Sequence, residues 1–206
     1  TQVLWRTRPK GHNTIMVTSA LDGEGKTVTA INLAVSIARD VKQSALLVDT
    51  DLRNPKVHTY LGGNMQKGLS DYLINDTPLT DIVVSPGIDK MLVLPAGRAL
   101  MGSTELLGSP KMEKLVEELK GLDPKQYIIF DSPPVLAVPD ALVFSSCVDV
   151  VLVVVEAGKT GRDQIRKTME LLEGRNIVGL VMNKARESGR GYGYYGHYYT
   201  RGPDTP

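Results

Sequence analysis

Cysteine, aromatic side chains, net charge and long apolar runs are all scarce in this chain. A single cysteine, Cys147, excludes an intramolecular disulfide, and its apolar neighbours predict a buried, reduced thiol. A formal net charge of +1 over 206 residues supplies no basic footprint, so no nucleic-acid partner is expected. The longest apolar run, 148–155, is far too short to span a bilayer, so any membrane link is expected from outside these residues. No secretory leader is visible, and the opening Thr1 leads us to expect a piece of a longer polypeptide. The three histidines, His12, His58 and His197, are scattered without metal-ligand spacing. Aromatics make up 5% of the chain, yet five of its eight tyrosines crowd between positions 192 and 199.

What is present is an ordinary globular composition, 42% hydrophobic, on a length that suits one α/β domain. Short β-branched runs at 14–19, 45–49, 91–95, 127–131, 148–156 and 177–183 read as buried strands. Helical periodicity lies between them. Val28, Ile31, Val35 and Ala38 share one face, as do Met112, Leu115, Val116 and Leu119 after Pro110, and Ile165, Met169 and Leu172 mark a third helix. This alternation predicts an α/β fold of three layers, a mostly parallel sheet flanked by helices. Ligands of such sheets bind outside the carboxyl ends of the strands, so the polar residues there carry the argument. The pattern stops near Glu187. We expect a domain over 1–186 and a flexible Gly/Tyr/Arg-rich tail over 187–206.

The first strand runs through ALDGEGKT, residues 20–27, straight into a helix, which is the P-loop form with Ala20 at its first glycine position. Backbone N–H groups of Gly23, Glu24, Gly25 and Lys26 can curl round phosphates because the glycines permit close approach, and the helix N-terminus adds its positive end. The nucleotide site is therefore assigned to Gly23, Glu24, Gly25, Lys26, Thr27 and Val28. Lys26 supplies a charge for the β- and γ-phosphates and the Thr27 hydroxyl a ligand for Mg²⁺, making ATP and Mg²⁺ the expected cofactors. Asp49 and Asp51 close the second strand, and Asp131 closes another. Each alone suits a turn or helix cap. Beside a P-loop they suit metal coordination and orientation of an attacking hydroxyl. Asn183 closes the last strand, where its amide can read a purine edge or simply make a turn. Lys184 then resembles the start of a guanine-reading NKxD motif, but Arg186 takes the place of the final Asp.

At this point the chain resembles the bacterial protein-tyrosine kinases (BY-kinases) of exopolysaccharide and capsule assembly. TSALDGEGKT is similar to their Walker A, LLVDTDLRNP to their Walker A′, IIFDSPP to their Walker B, and STELLGSPKM to a segment between. The resemblance implies a P-loop NTPase fold. It implies that Lys26 and Thr27 bind phosphate and Mg²⁺, that Asp51 and Asp131 hold the metal, and that Asp49 is the base for a tyrosine hydroxyl. It also implies a membrane adaptor or polysaccharide co-polymerase module, fused or separate, an opposing tyrosine phosphatase, a homo-oligomer, and a cytoplasmic place at the inner face of the membrane. Partition and septum-site ATPases carry a signature lysine where this chain has Leu21, which favours the kinase branch. Asp22 stands where the family usually has Pro, and the segment 1–10 lacks the acid of the family's Glu/Arg oligomerisation motif, keeping Arg6 and Arg8.

The tail then reads as substrate. Tyr192, Tyr194, Tyr195, Tyr198 and Tyr199 are candidate phosphoacceptors, and several phosphates at about −1.5 to −2 each would reverse the sign of a segment carrying Arg190 and Arg201. Two other readings share the binding motifs: an ATPase switch that hydrolyses ATP to water, and a non-catalytic ATP-binding regulator of a polysaccharide exporter.

Overall fold

The computed structural model describes residues 2–62 and 66–185. Six strands form one parallel sheet: β1 (Thr14–Ser19), β2 (Ser44–Asp49), β3 (Met91–Leu94), β4 (Gln126–Asp131), β5 (Val150–Glu156) and β6 (Ile177–Asn183), in the order β3-β2-β4-β1-β5-β6. The sheet is entirely parallel, as near-continuous apolar strands demand when both faces are covered. The helices are α1 (Gln2–Thr7), α2 (Lys26–Ala38), α3 (Val57–Leu61), α4 (Leu69–Asn75), α5 (Ser103–Leu107), α6 (Pro110–Leu122), α7 (Asp140–Phe144) and α8 (Arg162–Leu171).

Two hydrophobic cores follow from the strand alternation. On one face Ile15, Val17, Leu47 and Ile129 pack against Ala30, Ala34 and Ile37 of α2, with Leu4 of α1 and Val57 of α3. On the other Leu46, Val48, Ile128 and Phe130 meet Leu69 of α4, Met112 and Leu115 of α6, and Phe144 of α7. Phe130 and Phe144 stand edge to face at 4.9 Å. Burying such a side chain accounts for roughly 3 kcal/mol each.

Chain order creates the functional cleft. From β1 the chain skips a place to reach β2 and β3, then returns to insert β4 between β2 and β1, before crossing to β5. The carboxyl ends of β1, β2 and β4 therefore lie side by side, with Asp49 and Asp131 as register partners. One smaller expectation changes. Cys147 is half-buried, with burial pushing its thiol pKa up. Trp5 is 85% exposed, because the helix around it turns Leu4 and Thr7 inward.

Candidate active site

The P-loop is built by two glycines and braced from outside. After Ser19 the chain turns with Gly23 at φ +79° and Gly25 at φ +94°, a region that side chains rarely adopt. A Cβ on Gly25 would also stand 2.1 Å from Asn183 Nδ2. The α2 helix starts at Lys26 with no side-chain cap and no acid in its first turn, which leaves its N-terminus suited to a bound anion. Asn183 Nδ2 donates to the Glu24 carbonyl at 2.8 Å. Lys184 Nζ donates to the Gly23 carbonyl at 2.6 Å and to Glu156 Oε2 at 3.1 Å. The Glu24 carboxylate is buried, accepting the Leu21 N–H at 2.7 Å and the Thr160 hydroxyl. Val28 follows on the first turn of α2, partly exposed.

The acids meet the lysine at the strand tips. Lys26 Nζ lies 2.8 Å from Asp51 Oδ2 and 3.7 Å from Asp131 Oδ1, and 3.4 Å from the Thr27 hydroxyl. Burial lowers the Lys26 pKa, but Asp131 and Asp51 outweigh it and raise it overall, so the cation persists. Asp49 accepts the N–H groups of Asp51 and Val57, both at 3.1 Å. Even so, burial first and the neighbouring Asp131 next push its carboxyl well above the usual range. Asp131 is 0% exposed, and neither of its oxygens has a hydrogen-bond partner. Burial raises it to about 6, with Lys26 and Thr27 pulling the other way.

An ionisable group held buried without hydrogen bonds is costly unless a cation completes it. Among the described residues no three His, Cys, Asp or Glu side chains form a metal cage by themselves. That suits Mg²⁺, which takes one or two carboxylates, a hydroxyl and the oxygens of bound phosphates rather than a full protein shell. The Thr27 hydroxyl, Asp51 and Asp131 fit this donor set.

Sequence reasoning carried Arg53 only as a letter of the Walker A′ pattern and missed its partner. Arg53 forks onto Asp140, Nε to Oδ2 and Nη2 to Oδ1, each at 3.1 Å. Asp140 also accepts the hydroxyls of Ser103 and, at 2.6 Å, Thr104. Burial alone would raise Asp140; the bonds from Arg53, Ser103 and Thr104 outweigh it and hold the carboxyl below its usual range. Glu156, Thr160 and Lys184 were missed as braces of the P-loop, and only the position of Lys184 beside Asn183 hinted at a role. Arg186 and the five candidate tyrosines, Tyr192, Tyr194, Tyr195, Tyr198 and Tyr199, lie outside the described residues.

A glycine-built phosphate loop, its lysine, and carboxylates from two adjacent strand tips define the class as a P-loop nucleotide-binding domain. A family model described as an AAA domain matches residues 12–178. Tyrosine-protein kinase CpsD of Streptococcus agalactiae is 34% identical over 195 residues, 93% of this chain and 84% of that protein. Tyrosine-protein kinase YwqD of Bacillus subtilis is 37% identical over 185 residues, 88% and 77% of the two chains. The solved kinase domain of the Escherichia coli tyrosine kinase ETK superposes with a TM-score of 0.82 at 30% identity, covering 93% of this chain and 76% of that one. The chain belongs to this family of bacterial protein-tyrosine kinases. The putative tyrosine-protein kinase EpsB of Ralstonia solanacearum matches at 32%, over only 25% of its own length. A septum-site-determining protein with Mg-ADP, at 22% identity and a TM-score of 0.69, shares the fold.

Proposed function

We propose that this kinase transfers the γ-phosphate of Mg·ATP to tyrosines of its own segment 187–206, namely Tyr192, Tyr194, Tyr195, Tyr198 and Tyr199. The observation that carries the reading is the buried carboxylate of Asp131, without hydrogen bonds, set in register with Asp49 and paired at 3.7 Å with Lys26. Lys26, freed from Asp51, neutralises the β- and γ-phosphates, and the amides of the loop from Gly23 to Val28 line the phosphate chain. Thr27, Asp51 and Asp131 would hold Mg²⁺, which supplies electrostatic stabilisation of the charge on the transferring group. Asp49 orients the tyrosine hydroxyl and takes its proton. Its raised pKa brings it nearer the range where a carboxylate works as a base at neutral pH. Asn183, anchored through Nδ2, keeps its carbonyl oxygen available to a purine amine.

The same reading places the protein at the inner, cytoplasmic face of the membrane, joined to an adaptor or polysaccharide co-polymerase module and opposed by a tyrosine phosphatase. No helix among the described residues is long and apolar enough to cross a membrane. The kinase thereby regulates capsule or exopolysaccharide assembly, and phosphate repulsion in segment 187–206 loosens a homo-oligomer.

Incubation with Mg·ATP, alone and with the adaptor, followed by mass spectrometry of 187–206 tests this. Phosphotyrosine at 192–199, absent in Lys26→Met, is the expected result. Phosphate released to solution with those tyrosines unmodified would establish the ATPase switch instead, and neither event would leave the non-catalytic regulator.

A further inference from the structure

Four side chains from three separate segments converge beside the site without touching it. Asp140, fully buried at the start of α7, receives three bonds from Arg53, whose Nε is shared between both carboxylate oxygens, and one each from Ser103 and Thr104 at the start of α5. Arg53 Nη2 closes the ring with a 3.1 Å bond to the Thr104 hydroxyl. All of Asp140's oxygen capacity is committed inside this cluster, and Lys26 with its carboxylates lies outside it.

The position of Arg53 in the chain gives the cluster its meaning. Upstream, Thr50 is fixed to β4: its N–H and its hydroxyl both donate to the Asp131 carbonyl, at 2.9 and 2.8 Å. Downstream, Arg53 is fixed to Asp140, and the Leu52 carbonyl accepts the Leu100 N–H at 2.8 Å. Asp51 sits between these two pins, with its Oδ1 turned back to the Asn54 N–H at 3.1 Å and its Oδ2 on Lys26 at 2.8 Å. Asp131 begins the same connection that ends at Asp140. One buried carboxylate therefore ties together the loops that carry both proposed metal-binding acids.

We infer that Asp140 and Arg53 are positioning residues for the divalent cation: their fork fixes the spacing between Asp51 and Asp131, and so sets how strongly Mg²⁺ adds to nucleotide binding. This rests on the Mg·nucleotide reading of the site. Arg53 suits the task because a planar fork fixes direction as well as distance, which a lysine cannot do. Groups that orient metal ligands without touching the metal commonly change metal affinity about tenfold to a hundredfold when replaced.

The test compares Arg53→Lys and Asp140→Asn with the wild type, using a fluorescent ADP analogue titrated in EDTA and again in Mg²⁺, with melting curves for each protein. The P-loop amides and Lys26 bind the diphosphate without metal, so affinity in EDTA is expected to stay within about twofold of wild type. The gain on adding Mg²⁺ is expected to fall about tenfold in Asp140→Asn and less in Arg53→Lys. An undiminished Mg²⁺ gain in folded variants overturns the inference, as does a loss of equal size with and without the metal, which marks a merely structural role. Should Asp140→Asn fail to fold, Arg53→Lys, whose side chain is partly exposed, decides alone. A wild type with nucleotide affinity but no Mg²⁺ gain would overturn the underlying metal reading too.

Discussion

Replacing Asp131 with asparagine should make the nucleotide-free protein more stable while removing its activity. Asp131 is fully buried, lacks hydrogen bonds to either oxygen, and has its protonation raised from 3.8 to about 6. A raised pKa means that the folded state holds its proton more tightly than the unfolded state. Its contribution is therefore fully present below 3.8 and is lost as pH rises through about 6. Well above that value the ionised carboxylate weakens the fold by about 3 kcal/mol at most, the opposing pull of Lys26 being already contained in the shift. Asparagine keeps the shape and cannot ionise. Urea denaturation of both proteins without nucleotide, at pH 4.5 and pH 8, is the measurement. The variant's stability relative to wild type should improve by roughly 1 to 3 kcal/mol between the two pH values. The carboxyls held below their usual range, including Asp140 and Asp149, titrate beneath this window and leave it clear. Asp49 is raised first by burial, which both proteins share and which cancels; the part that comes from Asp131 vanishes in the variant and adds to its relative gain at pH 8. A pH-independent difference, or a variant weakened equally at both pH values, would refute the argument that a buried charge without hydrogen bonds is stored at this strand tip.

Lys26→Met should lose nucleotide binding and melt earlier, because Asp51 and Asp131 are left facing one another. Stranding buried carboxylates costs about 3–5 kcal/mol before protonation relieves them, and denaturant melts at pH 8 will show it. Gly25→Ala should abolish ATP binding by calorimetry, since the side chain demands an unfavourable φ and meets Asn183. Asn183→Asp sets a carboxylate against the Glu24 carbonyl and should weaken ATP by about tenfold, roughly the loss expected for one hydrogen bond replaced by repulsion.

All six strands were legible in the sequence, to within two residues at each end; the inner four are buried on both faces and so carry an unbroken apolar signature, while β6 keeps an apolar run although it is half-exposed at the sheet edge. The helices α2, α6 and α8 were legible from their apolar stripes. The helices α1, α3, α4, α5 and α7 span only 5–7 residues, too few turns for a period to emerge, and tertiary contacts hold them. Lys26, Asp49, Asp51 and Asp131 could be placed together because each sits at the carboxyl end of a readable strand or the start of the helix after it. Asp140 could not. It follows Pro139 in a stretch with no motif of its own, and its partner Arg53 is 87 residues away in the chain. Glu24 was read for its backbone amide alone, since nothing in GEGKT reveals that Thr160, from the loop after the neighbouring strand β5, will donate to its carboxylate.

The grip of Asn183 and Lys184 on the two carbonyls of the glycine turn has a stereochemical consequence. In a flat trans peptide the C=O and the following N–H point in opposite directions. Drawing the oxygens of Gly23 and Glu24 toward the tip of β6 thus aims the hydrogens of Glu24 and Gly25 the other way. The edge strand acts as a rudder for those two dipoles. Were it to let go, both planes could swing round, and a lining that welcomes anions would present oxygen to them.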